Sequence, residues 1–336
     1  VGLLKSNLIT LAGGVSAPTV DPTLALDLEF SSMSALPASV TFTRASVATY
    51  FDQNGALQTA LANVARFDHD PVTLEPLGLL IEAATTNSLL NSAAPGTQGV
   101  TVTAAPWTLS FYGTGSVALS GAYVGTLVGT GPFPARASLT FTPTAGTLTL
   151  TVTGSVTLAQ LELGSAATSY IATTSATATR TGDRAVISGA NFTPWYNAPA
   201  GTFVVAYMGR NGAPVGRVAT FSLAGSGSNT WSGQRSTTGA VLGVVRVVGT
   251  NFDCAAANTS PAATADKYAL AVEAGRDGSC LNGGTVTTNA PTSAPNVDQV
   301  DLGSNVVSSQ LTGWLASFKY YNVAKSNAEL IDLTTP

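Results

Sequence analysis

The sequence predicts an all-β protein built of antiparallel sandwiches, and three observations carry this. Apolar and polar residues alternate at period two in several short runs, as half-buried strands require. Turn residues separate those runs along the whole chain, which holds 34 Gly and 17 Pro. The polar work falls to Thr, Ser, Asn and Gly, because only 10% of the residues are charged, against about 25% in an average globular chain. Branched Thr and Val pack well on a pleated surface. An apolar content of 45% excludes disorder.

The elements follow in order. Residues 1–24 mix patterns with loop residues (Gly13, Gly14, Pro18, Pro22) and read as an N-terminal arm or docking segment. Leu24, Leu26, Leu28 and Phe30 then share one face opposite Asp27 and Glu29, a half-buried strand. Val40 and Phe42 continue this style, and Asn54-Gly55 marks a hairpin turn, since both residues tolerate positive φ. Thr147–Thr153 alternates strictly after the turn Pro143–Gly146, with Leu148, Leu150 and Val152 inward. In Val156–Leu163 the apolar face switches midway, which a β-bulge explains. Short strands at this spacing predict a jelly-roll sandwich over about 93–184. Beyond residue 185, Phe203, Val205 and Tyr207 alternate, as do Tyr268, Leu270 and Val272. Ser326 and Glu329 form a capping-box pair that starts a short C-terminal helix.

Composition also excludes functions. A formal net charge of −4 argues against nucleic acid, whose phosphates demand basic patches. No run of about 18 apolar residues is present, so no membrane span is expected. The first residues imitate a signal peptide weakly, because Lys5, Ser6 and Asn7 interrupt the apolar part; an exported protein whose leader is gone remains the alternative. Cys254 and Cys280, the only cysteines, allow either one bridge or two separate thiols, and no zinc site. No cofactor is implied.

Candidate sites are few. His69 is the only histidine, sits in Phe67–Pro71 and reads as a solvated turn residue, since no nucleophile-elbow motif accompanies it. The carboxylates Asp253, Asp266, Glu273, Asp277, Asp298 and Asp301 lie in no catalytic motif and read as turn or rim residues, so no catalytic residue is assigned. A rim calcium on Asp253, Asp277 and Asp298 lacks a loop of concentrated ligands, so no metal is assigned. Trp231, in the loop-like run Gly225–Arg235 with Asn229 and Gln234, is the first candidate for stacking on a sugar or for a subunit contact; Trp195-Tyr196 is the second. Arg44, Arg66 and Glu82 stand beside Phe42, Phe67, Leu79 and Leu80, which predicts buried pairing in a packed unit or a face that docks a neighbouring subunit.

One stretch is unlike the rest. From Asn91 to Thr179 only Arg136 and Glu162 are charged, whereas Val40–Ser92 carries Arg44, Asp52, Arg66, Asp68, Asp70, Glu75 and Glu82. Its phrases FTRASVATY (Phe42–Tyr50), DQNGAL (Asp52–Leu57), ANVARFDHDPVT (Ala62–Thr73), GLLIE (Gly78–Glu82) and Thr86-Asn87 resemble a cassette near the start of many tailed-phage and prophage virion proteins. The likeness extends to Gln160–Glu162, Thr168–Ile171 and Ala178–Arg180, in a part that looks like a carbohydrate-binding-module jelly roll. Gly313–Tyr321 followed by Ser326–Leu330 is similar to the end of a concanavalin A/laminin-G-like sandwich.

The resemblance implies a non-enzymatic virion structural protein exposed on the particle surface: a head spike, head fibre or capsid-decorating component. It also implies a symmetric homo-oligomer, most often a trimer, with capsid or tail proteins as partners and host-surface polysaccharide as a further one. A tail fibre, or a receptor-binding lectin or depolymerase of a phage tail, is the alternative. The expected division is an anchoring region 1–92, a jelly roll 93–184 and a concanavalin A-like sandwich 185–336.

Overall fold

The computed structural model describes residues 21–336 apart from 225, 262 and 306–308, so the expected N-terminal arm lies almost wholly outside the described residues. The chain is all-β, with a single α-helix among the described residues, Asn327–Thr334.

The larger sandwich packs a seven-stranded sheet on an eight-stranded one. The first sheet runs in the order Arg276–Leu281, Ala265–Glu273, Ala200–Gly209, Gly313–Tyr321, Pro76–Ile81, Phe67–His69. Strand Gly313–Tyr321 has one edge on Ala200–Gly209, and two strands from early in the chain share its other edge. Leu24–Leu28 covers Phe318–Tyr321, and Pro76–Ile81 covers Gly313–Leu315. Gly78 belongs there because a Cβ would strike the Leu315 carbonyl, and its φ of 99° favours glycine. The second sheet runs from Thr41–Thr43 through Arg184–Ser188, Gln299–Leu302, Gly216–Leu223 and Ser226–Arg235 to Ala240–Val247.

The expected boundary at residue 92 therefore does not follow the strand pairing. Over its described part, the region before it supplies strands to both sheets of the C-terminal sandwich. The reason is hydrophobic: Leu28, Phe30, Val40, Phe67, Leu79 and Ile81 complete one core with Phe203, Phe221, Leu270 and Phe318. The middle module is inserted into that sandwich.

This middle module packs a four-stranded sheet (Gln98–Val102, Ser116–Gly121, Gly125–Val128, Gly146–Thr153) on a three-stranded one (Trp107–Gly113, Gly131–Phe141, Thr157–Leu163). Leu148 and Leu150 enter its separate core as the alternation predicts. The expected bulge falls between Thr157 and Gln160, where Leu158 has a φ of 48°.

The strand at Leu24 is shorter than its pattern. A register shift between Leu24 and Leu26 turns Leu24 toward a second, smaller core, and Phe30 is buried from a 3-10 turn. At Asp52–Leu57 the hairpin turn is organised by the Asp52 carboxylate, which accepts from the amides of Asn54 (2.9 Å) and Ala56 (3.0 Å). The C-terminal helix starts with the predicted capping box: Ser326 caps the Glu329 amide, and Glu329 returns to the Ser326 amide at 2.8 Å. Ser326→Ala is expected to destabilise the protein by about 1 kcal/mol in chemical denaturation; no change would mean that the core contact of Leu330 alone holds the helix.

Candidate functional site

Where the three parts of the chain meet, charged side chains form one buried network. Arg44, Arg66, Glu82, Arg180 and Asp183 are each at most 1% exposed. The Glu82 carboxylate accepts from Arg66 (2.9 Å), Arg180 (3.0 Å) and the Nε of Arg210 (3.1 Å), and from the amide and hydroxyl of Ser169. Asp183 accepts from Arg44 (3.1 Å), Arg66 (2.6 Å) and the Glu82 amide (2.8 Å). Burial alone would raise the Glu82 pKa, but Arg180, Arg66 and Arg210 outweigh it and hold the carboxyl well below its usual range.

The network joins cassette residues to the end of the middle module (Ser169, Arg180, Asp183) and to the sandwich (Arg210). Asp183 and Arg210 carry no motif. The available signal was scarcity: a buried arginine needs a carboxylate, and a chain with 18 Asp and Glu has few to spare.

Beside this network opens a cleft of about 810 Å3, within the size range of small-molecule sites. One wall is the cassette hairpin Ala48–Phe51/Leu57–Ala60 with strand Phe67–His69 and its turn; it presents Tyr50, Phe51, His69 and Asp70. The middle module contributes Tyr112, Arg136, Ser138 and Thr140, and the sandwich contributes Met208, Arg210, Asn211 and Trp314.

The floor is rigidly held. Buried Asp68 accepts from the Phe51 amide at 2.6 Å and from the Trp314 indole at 2.8 Å, which fixes that ring. Arg210 lies over the Trp314 face at 4.3 Å. Arg136 donates to Thr168 O (2.6 Å) and Ser110 Oγ (2.8 Å) while lying over Tyr112. Burial pushes the Asp68 carboxyl above its usual range, more than Arg210 and its two hydrogen bonds lower it. His69 is half-buried in this wall, with Nδ1 3.3 Å from the Phe51 carbonyl, rather than a solvated turn residue. The half-buried rings of Tyr50 and Phe51 beside fixed polar groups suit a saccharide, whose rings offer apolar faces and equatorial hydroxyls.

The predicted sugar residues are elsewhere. Trp231 is 2% exposed, in strand Ser226–Arg235, stacked on Phe221 at 4.2 Å. The run that reads as a loop is a central strand, paired on both sides. Its glycine has a packing role: a Cβ on Gly233 would collide with the buried Tyr268 ring and Val218. Asn229 accepts from the Val248 amide at 3.1 Å, and Gln234 is half-buried in the ladder. Trp195 and Tyr196 are half-buried against Phe192 and Tyr320, closing the aromatic core. None of these five lines the cleft.

Of the six predicted turn or rim carboxylates, Asp298 is exposed and Asp253 and Glu273 are half-buried, but three differ. Asp266, Asp277 and Asp301 are at most 2% exposed, and Asp301 pairs with Arg184 at 2.6 Å. Cys254 and Cys280 are separate buried thiols, and burial pushes the Cys254 thiol far up. Among the described residues, no His, Cys, Asp and Glu group of three or more is placed to hold a metal ion, and no helix is long and apolar enough to cross a membrane.

No protein-family model and no curated protein matches the chain. Among solved structures it is similar to the CBM40 domain of a Ruminococcus gnavus IT-sialidase bound to α2,3 sialyllactose, at 18% identity and a TM-score of 0.36, over 42% of this chain and 84% of that one. The NanB sialidase of Streptococcus pneumoniae matches at 16% identity and TM-score 0.36, over 44% and 26%. The binding domain of botulinum neurotoxin DC, in complex with SialylT, matches at 8% and 0.34, over 45% and 39%.

Proposed function

We propose that this protein is a non-enzymatic structural component of a tailed-phage particle, a head spike, head fibre or capsid-decorating protein, that adheres to host-surface polysaccharide through the cleft. The cleft is the observation that carries the adhesion reading. It has the volume of a small-molecule site, is walled by Tyr50 and Phe51, and its polar groups are held by hydrogen bonds made before any ligand arrives. Such preorganisation lowers the cost of binding.

The virion half rests on the cassette resemblance over Phe42–Asn87. Every charged residue of that cassette with a buried side chain (Arg44, Arg66, Asp68, Glu82) serves the network or the cleft floor. Its outer surface exposes Val47, Leu61, Val64, Val72 and Leu74, which supports a role in homo-oligomer or capsid contacts.

Two experiments test the reading. Mass spectrometry and image reconstruction of purified particles are expected to find the protein on the surface; its absence there removes the virion assignment. On a glycan array, wild type is expected to bind and Tyr50→Ala to lose on the order of tenfold in affinity, since one stacking ring contributes about 1 kcal/mol or more, at unchanged thermal stability. Equal binding by both proteins would place the glycan elsewhere.

The second reading is a tail depolymerase. The observation favouring it is that Asp68, with its raised pKa, and Asp70 share the cleft wall. Release of oligosaccharides from a bound polysaccharide, lost in Asp70→Asn, would establish it over simple adhesion.

A further inference from the structure

We infer that the cleft selects saccharides bearing a carboxylate, and that Arg210 receives it through the Nη edge of its guanidinium. This rests on the reading that the cleft binds glycan and deepens it by naming the ligand class.

Arg210 is prepared for this by two contacts and one open edge. Its Nε donates to Glu82 at 3.1 Å, so the side chain is anchored at its inner edge. Its plane lies on the Trp314 ring at 4.3 Å, and that ring is itself pinned by Asp68. Among the described residues, Nη1 and Nη2 make no hydrogen bond within the protein, and neither is fully buried. The side chain is 17% exposed, and it lines the cleft. A guanidinium fixed by its Nε and its face leaves one opening, and two parallel N–H donors on one edge match the two oxygens of a carboxylate.

The surrounding carboxylates leave that edge open. Four arginines (Arg44, Arg66, Arg180, Arg210) form ion pairs with two carboxylates (Glu82, Asp183), while buried Glu162 and Asp68 act on Arg180 and Arg210 without a direct ion pair. Asp68 offsets part of the Arg210 charge, but neither of its oxygens hydrogen-bonds to the Nη edge. Asp68 spends its oxygens on the Phe51 amide and the Trp314 indole, and Asp70 spends Oδ1 on the amides of Val72 and Thr73. With 17% of the Arg210 side chain exposed, an arriving anion is attracted more than at a fully open surface and is still partly screened by salt.

The test compares ligands that differ only at the carboxylate. The full chain is titrated calorimetrically with galacturonate and glucuronate oligomers, and with the same oligomers after reduction of each carboxyl to a primary alcohol. The acidic forms are expected to bind at least tenfold tighter, as a charge-assisted hydrogen-bonded pair implies, and added salt is expected to narrow the gap. Arg210→Gln is expected to abolish the difference between the acidic and the reduced forms. Equal affinity for acidic and reduced oligomers overturns the carboxylate inference while the cleft reading survives. If no saccharide, acidic, reduced or arrayed, binds in a Tyr50-dependent manner, the cleft reading falls and this inference with it. The ligand-side comparison needs no variant, so instability of Arg210→Gln does not blunt it.

Discussion

Glu82→Gln lowers the unfolding free energy by about 3–5 kcal/mol, the cost of removing one partner from a buried ionic cluster. The substitution keeps the shape and removes the charge on which Arg66, Arg180 and Arg210 converge. Arg44 and Arg66 keep Asp183, but Arg180 loses its one direct ion pair among the described residues while fully buried. Denaturant titration of the full chain reads the loss directly. The control is the surface pair of Lys319 with Asp27, which is 30% and 41% exposed; Asp27→Asn is expected to cost less than about 1 kcal/mol. A similar small loss for Glu82→Gln would mean that water reaches the network.

The same group sets a pH dependence with a definite sign. The Glu82 pKa is lowered by folding from a reference of 4.5, so its contribution is complete above that value and disappears as pH falls through the folded pKa. Wild type and Glu82→Gln therefore converge in stability as the solution becomes strongly acidic. A gap that stays constant between neutral and acid pH would show that charge is not its source.

Trp231→Ala is the second large effect, expected at about 3–5 kcal/mol because a fully buried ring leaves a cavity. Trp231 touches Phe221 and Phe203 with centroids 4.2 and 5.4 Å away, at the centre of the aromatic core. Glycan affinity per folded molecule is expected to remain unchanged, since the ring does not line the cleft. The opposite pair of outcomes, intact stability with lost binding, would restore it as a sugar platform and refute its placement.

These two residues also separate what was legible from what was not. Glu82 and its arginines are readable as a buried group, because charge beside Phe and Leu in a chain this poor in charge has few other uses. Trp231 is misread, because Gly, Ser, Asn and Thr around it have loop composition. Gly233 is there to admit the Tyr268 ring, a contact between residues far apart in sequence. The cleft is illegible for the same reason. Tyr50, Arg136, Arg210 and Trp314 come from four distant segments, and no local pattern links them.

By itself the sequence determined the all-β class, the alternating core faces, the bulge after Val156, the capping box at Ser326 and the special character of Val40–Ser92. All of these depend on neighbours within a few residues, where backbone geometry imposes a period or a turn. Only the tertiary structure decided that early strands complete the C-terminal sandwich, and that Asp183 and Arg210 close the network beside the cleft. Strand order and charge pairing bring together residues more than a hundred positions apart, and their energy comes from joint burial, which no single segment encodes.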